Sequence, residues 1–235
     1  MSVAVITGAS RGLGLALARE LVHQGWDLIV DARDGDALES ATAPLRKIGK
    51  VTAIPGDVAA PAHREAMGRA ARRAGRVDLL VNNASTLGPS PRPMLDRYPI
   101  GELERVFQVN VVAALAMIQT VLPELAGAHG SIVNVTSDAA TEPYEGWGGY
   151  GSSKAALEQL TAVLAAEQTS LHVYAFDPGD MRTVMQQEAF PGEDISDRME
   201  PETVVPALMR LIAERPPSGR YRSSELEPTT ERAGL

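Results

Sequence analysis

Apolar residues in this 235-residue chain recur in two rhythms. Short runs rich in Val, Ile and Leu alternate with longer stretches whose apolar positions return every three or four residues, the spacing of one helix face. The strand-like runs fall at residues 2–7, 27–31, 51–55, 77–81, 131–136 and 172–176. Helix-like stretches occupy about residues 15–24, 36–47, 60–74, 101–125, 154–168 and 202–214. Strand and helix alternating in this way predict an α/β fold, a doubly wound, mostly parallel sheet with helices on both faces. Ligands of such sheets gather beyond the carboxyl ends of the strands. A single domain spanning residues 1–235 is expected, because the length and the 44% hydrophobic content suit one core and no linker or repeat interrupts the pattern. Residues 215–235, rich in Pro, Ser, Glu and Arg, read as a mobile tail apart from a short edge strand at 220–223.

Composition narrows the function. There is no unbroken run of about 18 apolar residues and the chain starts at once in a strand pattern, so a soluble, cytoplasmic protein with no membrane partner is expected. The net charge of −8 argues against nucleic acid, and the absence of cysteine excludes disulfides and thiolate chemistry. His23, His63, His129 and His172 are scattered, without metal-ligand spacing, and read as polar surface residues. Arg69, Arg72, Arg73 and Arg76 repeat at helical spacing and read as a solvated face. Lysine is scarce: only Lys47, Lys50 and Lys154 occur.

Two stretches carry candidate chemistry. After the first strand, Gly8-Ala9-Ser10-Arg11-Gly12-Leu13-Gly14 leads into a helix, which sets backbone N–H groups and the positive helix end at a phosphate-binding position. Its Gly-x-x-x-Gly-x-Gly spacing is neither Gly-x-Gly-x-x-Gly nor a Walker loop. Further on, the glycine-rich segment 146–151 opens another helix, with Tyr150 and Lys154 one turn apart near its start. A cation about 5 Å from a phenol, at an effective dielectric of about 20, favours the phenolate by about 3 kcal/mol, or about two pKa units. Tyr150 is thus expected to be an acidified proton donor. Tyr-x-x-x-Lys also arises by chance as a ring covering a lysine stem, so the pair gains meaning only from its company.

In chain order these motifs resemble those of the short-chain dehydrogenase/reductase family over residues 3–212. Thr7-Gly8-Ala9-Ser10-Arg11-Gly12-Leu13-Gly14 is similar to its dinucleotide loop, Asp57-Val58 to its adenine contact, and Asn82-Asn83-Ala84 to the motif closing its fourth strand. Asn110, Ser137, Tyr150 and Lys154 match its catalytic tetrad, and Pro178-Gly179 with Met181 and Thr183 its nicotinamide-side loop. The resemblance implies a Rossmann-like fold and hydride transfer between nicotinamide and a carbonyl or alcohol carbon. Tyr150 would supply the proton and Ser137 would hold the substrate oxygen. Lys154 would lower the tyrosine pKa and bind the nicotinamide ribose, and Asn110 would bind a water linking Lys154 to solvent. The bland alternatives are a helix amide bonded to backbone for Asn110 and a turn residue for Ser137.

At the end of the second strand, the family's acidic ribose-binding position falls on Ala32, followed by Arg33. Arg33 and Arg11 would clamp a 2′-phosphate, so NADP is favoured over NAD. The alternative is that Asp31 takes the ribose after a one-residue slip and Arg33 is a surface charge. Ser85 stands where the family most often has glycine, and the C-terminus lacks the usual Asp-Gly-Gly, so a homodimer and a homotetramer stay equally open. Leu87, Tyr144, Trp147, Met181, Met185 and Phe190 suggest a neutral, partly hydrophobic carbonyl or alcohol substrate, with residues 182–199 as a lid and Arg182 the one arginine near it. The expectation is an NADP-dependent carbonyl reductase or alcohol dehydrogenase with no metal. The rivals are a non-catalytic dinucleotide sensor, which would be expected to lose the tyrosine or lysine, and an extended epimerase or dehydratase, for whose extra domain the chain has no room.

Overall fold

The computed structural model describes residues 1–226. Seven strands, β1 (Val3–Ile6), β2 (Asp27–Ala32), β3 (Val51–Pro55), β4 (Leu79–Asn82), β5 (Ser131–Val135), β6 (His172–Asp177) and β7 (Gly219–Arg222), form one sheet. Their order is β3-β2-β1-β4-β5-β6-β7 and every neighbouring pair is parallel. The order reverses between β1 and β4, which opens a crevice at their carboxyl ends.

The strands are apolar on both sides because both faces are covered. Side chains alternate, so Ala4 and Ile6 face one layer and Val3 and Val5 the other. On the first face α1 (Gly12–His23), α2 (Gly35–Thr42) and α8 (Pro201–Glu214) bring Leu17, Leu21, Leu38, Leu208 and Leu211 onto Val30, Tyr174 and Phe176. On the second, α3 (Pro61–Ala74) and α5 (Ala113–Ala128) bring Met67, Met117, Val121 and Leu125 onto Leu80, Ile132 and Val173. Each such side chain contributes about 1.5–3 kcal/mol when fully buried. The remaining helices, α4 (Ile100–Phe107), α6 (Gly148–Glu167) and α7 (Val184–Ala189), stand closer to the strand ends.

Several sequence expectations change. The helix expected at 101–125 is a continuous run, Ile100–Ala128, with α4 and α5 joined by a π-helical segment at Gln108–Val112. By length and composition that run could cross a membrane, since its small and apolar residues give a high mean hydropathy without an unbroken apolar stretch. Its Ala113, Met117, Ile118, Val121 and Leu125 are instead buried in the core. α6 begins at Gly148, so Tyr150 and Lys154 both lie within it. The edge strand expected at 220–223 is present as β7, paired with β6, and the residues around it are not loose: the Tyr174 hydroxyl donates to the Pro216 carbonyl at 2.8 Å, and that of Ser223 to Pro178 at 2.9 Å. Residues 227–235, the rest of the expected tail, lie outside the described residues.

A polar ladder crosses the second face. Asn82 Nδ2 donates to Asn134 Oδ1 (2.8 Å), and Asn134 Nδ2 donates to Thr161 Oγ1 (2.9 Å), tying β4 and β5 to α6. All three residues are buried, so breaking the ladder strands a desolvated amide. Asn134→Ala is expected to destabilise the protein by about 1–3 kcal/mol, measured by urea unfolding.

Candidate active site

The carboxyl ends of the strands enclose a cleft of about 1180 Å³. One half is built by the loop from β1 into α1. Gly8 and Gly12 adopt positive φ (70° and 57°), a conformation that favours glycine. A Cβ on Gly14 would stand 2.5 Å from the Gly8 carbonyl oxygen and 2.6 Å from Asn83 Nδ2, so only glycine lets the loop close. Asn83 Nδ2 donates to the carbonyls of Thr7 (2.9 Å) and Gly8 (3.0 Å), while Thr7 Oγ1 accepts from the N–H groups of Asn83 and Ala84, both at 3.0 Å. The motif after β4 therefore pins the loop after β1. Arg11, at the N-cap of α1, provides no side-chain cap, and the first turn of that helix faces the cleft through Gly12 and Leu13.

Asp31 explains the loop from the other side. One carboxylate oxygen accepts from the Gly8 N–H at 2.7 Å and the other meets His63 Nε2 at 2.9 Å, with both residues buried. His63 is thus a core residue and not the expected surface histidine; Gly56, with no side chain, leaves room for its ring. His23 and His129 are exposed, as expected. Asp31 borders the cleft, but both of its carboxylate oxygens are engaged within the fold. Ala32 is buried next to it, while Arg33 is exposed and lines the cleft, as does Arg11. Neither arginine has an ion-pair partner among the described residues, whereas Arg69 and Arg72 pair with Glu65, and Arg76 with Asp78. Ser10, Asp57 and Val58 complete this half. A helix N-terminus, a tight glycine cradle and two uncommitted guanidinium groups fit the phosphates of a dinucleotide.

In the other half, Ser137, Tyr150 and Lys154 converge at the ends of β5 and α6. Lys154 is 2% exposed, its Nζ donates to the Val135 carbonyl at 2.7 Å, and it lies 5.4 Å from the centre of the Tyr150 ring. Burial lowers its pKa from the ordinary lysine value to about 8, with Glu158 one turn later pushing it back up. The expected acidification of Tyr150 is overturned. Its pKa is raised, first by burial, then by the charges of Asp177 and Asp138; hydrogen bonding with Ser85 and Ser137 pulls the other way. Solvation lost by a buried phenolate outweighs those two hydrogen bonds. The Ser137 hydroxyl donates to Asp138 Oδ1 at 2.9 Å.

Asn110 does not line the cleft. It sits in the π-helical segment, accepting from the Thr86 N–H (2.9 Å) and the Ser85 hydroxyl (3.1 Å), and donating to the Thr86 carbonyl and to Ser153 Oγ, both at 3.0 Å. Its amide is fully paired with protein, close to the bland alternative, and it holds the strand-end loop against α6. Ser85, the departure from the family pattern, becomes part of this network.

Pro178, Gly179, Met181 and Thr183 line the near side of the cleft. The segment 182–199 is anchored where Met181 bridges Met199 and the Arg182 N–H donates to the Met199 carbonyl at 2.7 Å. Thr183 caps α7, and Arg182, paired with Glu200, lines the cleft together with it. Leu87, Ala139, Trp147, Met185, Ala189 and Phe190 cluster around Tyr150. Trp147 stands edge-on to Tyr150 at 5.7 Å, with Arg92 stacked 4.1 Å over its ring. The pairing of Asp31 with His63, and the roles of Asp177, Glu158 and Arg220, escaped the sequence reading because each acts through a partner distant in the chain.

The chain matches the model of the short chain dehydrogenase family over residues 2–194. It is 34% identical over 202 residues to sepiapterin reductase of Meriones unguiculatus, covering 80% of this chain and 77% of that one. A benzil reductase ((S)-benzoin forming) of Saccharomyces cerevisiae is 33% identical over 233 residues, covering 95% of this chain and 84% of its own. Among solved structures, an alcohol dehydrogenase of Thermococcus sibiricus complexed with 5-hydroxy-NADP has a TM-score of 0.85 at 27% identity, covering 94% of this chain and 95% of that one. A short-chain dehydrogenase of Sphingobium yanoikuyae in complex with NADPH has a TM-score of 0.84 at 27% identity, covering 94% and 87%. Sequence, sheet order and cleft agree: the chain belongs to the short-chain dehydrogenase family of oxidoreductases.

Proposed function

We propose that this protein is an NADPH-dependent carbonyl reductase whose substrate is a neutral, partly hydrophobic ketone or aldehyde, with the alcohol oxidation as its reverse. The observation that carries the reading is the joining in one cleft of Ser137, Tyr150 and Lys154 with a glycine cradle flanked by Arg11 and Arg33. The non-catalytic alternative is disfavoured because both Tyr150 and Lys154 are retained and line the cleft. Solved relatives bound to 5-hydroxy-NADP and NADPH support the cofactor, and the engaged Asp31 removes the best ribose acceptor for NAD. Sepiapterin reductase and benzil reductase as relatives support a carbonyl beside an apolar or ring-bearing substituent, which suits the wall of Trp147, Met185 and Phe190.

When bound, the reduced nicotinamide supplies the hydride. Ser137 holds the substrate oxygen and offers a hydrogen bond to its developing charge. Tyr150, fully protonated at neutral pH because its pKa is raised, gives its proton to the alkoxide, a much stronger base than water. The charge of Lys154 offsets the phenolate left behind, and its position suits the nicotinamide ribose. Arg11 and Arg33 hold the 2′-phosphate, and Asp57 and Val58 border the adenine. The protein is read as a homodimer or a homotetramer.

Tyr150→Phe is expected to leave NADPH affinity within about twofold while lowering kcat by at least about a hundredfold, measured by fluorescence titration and by loss of NADPH absorbance. Full activity in that variant would end the acid assignment. Arg33→Ala should raise the Kd for NADPH at least about tenfold and leave that for NADH nearly unchanged, since one charge-assisted phosphate contact is worth about 1.5–3 kcal/mol. Asp31→Ala, by contrast, should weaken both cofactors alike, through the Gly8 loop. A rise in the NADPH preference of that variant would restore Asp31 as a ribose ligand. Reduction should hold steady to about pH 7 and fall through a midpoint near pH 8. The sign follows from Lys154: its lowered pKa, about 8, means that its charge is present below that pH and is lost above it. A profile flat to about pH 10, close to where an ordinary lysine starts to lose its charge, would contradict this.

A further inference from the structure

On β7, Arg220 reaches beneath the catalytic groups. Its Nε donates to Glu158 Oε1 at 2.9 Å, and its Nη2 donates to Asp177 Oδ2 at 2.9 Å and to the Ser137 carbonyl at 3.4 Å. Glu158 Oε1 also accepts from Thr136 Oγ1 at 2.6 Å, and Asp177 Oδ1 from the Gly179 N–H at 3.0 Å. One guanidinium thus joins the ends of β5 and β6 to α6, at the three places where Ser137, Pro178-Gly179 and Lys154 enter the cleft.

We propose that Arg220 is a positioning residue for the reaction: it clamps Glu158 and Asp177 on either side of one cation, so that neither carboxylate acts unopposed on Lys154 and Tyr150, and it steadies the backbone of Ser137. This rests on the proposed roles of Tyr150 and Lys154. The charges around the pair are few. Lys154 feels Glu158 on its own helix, and Tyr150 feels Asp177 from the end of β6 and Asp138 from the turn after β5. Arg220 faces Glu158 and Asp177, and Arg222 approaches Asp177 only to 3.8 Å. Both carboxylates favour the protonated forms of Lys154 and Tyr150, so withdrawing Arg220 makes both groups harder to deprotonate. Withdrawing Glu158 does the reverse to Lys154.

Because the chain has only Lys47, Lys50 and Lys154, an NMR titration of the lysine ε-methylenes reads Lys154 directly, with Lys154→Met giving the assignment. Arg220→Met is expected to raise the Lys154 midpoint by about one pH unit, and Arg220→Lys to restore most of the shift. The alkaline limb of kcat/KM for ketone reduction should move with it, and kcat should fall while the Kd of NADPH stays within about twofold. A folded Arg220→Met protein with the wild-type midpoint and limb, and only a lower Tm, overturns the proposal and reduces Arg220 to a brace. Should that variant fail to fold, Arg220→Gln, which keeps hydrogen-bonding capacity and removes the charge, decides: a midpoint raised by about one unit supports the clamp, and an unmoved one overturns it. Failure of the underlying reading would show separately, as an active Tyr150→Phe enzyme.

Discussion

The site depends on keeping an ammonium charged where almost no water reaches it. Lys154 is held by one carbonyl, that of Val135, and by the field of Glu158 one turn along α6. An isolated buried amine sheds its proton, and a fully compensated one becomes an inert salt bridge. Lys154 stands between these limits. The parallel sheet makes this possible: β5 and β6 end side by side, delivering a carbonyl, a serine hydroxyl and a carboxylate to one small volume over the start of α6.

Tyr150 meets the same conditions with the opposite sign. Burial and two neighbouring carboxylates favour its neutral form, so it is a reservoir of one proton and not a standing phenolate. Hydrophobic side chains around it, Trp147 and Phe190 among them, keep bulk water from competing for that proton. An environment that makes the phenol a weak acid in the resting protein also makes proton release conditional on a strong base arriving next to it.

The alternation of apolar runs made the sheet and its helices legible, because strands covered on both faces must be apolar throughout and helices covered on one must be amphipathic. The glycine spacing and the Tyr150 and Lys154 pair were legible for the same reason: their geometry is local. What the sequence hid was non-local. Asp31 read as a candidate ribose ligand until His63, 32 residues away, and the Gly8 N–H were seen to occupy it. Lys154 does stand near the Tyr150 ring, but that closeness did not foretell the raised tyrosine pKa, since desolvation depends on packing from β6 and from the 182–199 segment. Arg220 read only as part of a short edge strand because its partners, Glu158 and Asp177, are 62 and 43 residues distant.

The glycine cradle is assembled largely by residues that do not belong to it. Its carbonyls are capped by the Asn83 amide and its first N–H is taken by Asp31, so its shape is inherited from strands β4 and β2. A fragment ending before residue 78 would carry the whole glycine signature and still lack the cradle. Nucleotide recognition in this chain is therefore a property of the closed central sheet, acquired only once β1 and β4, more than seventy residues apart, have paired.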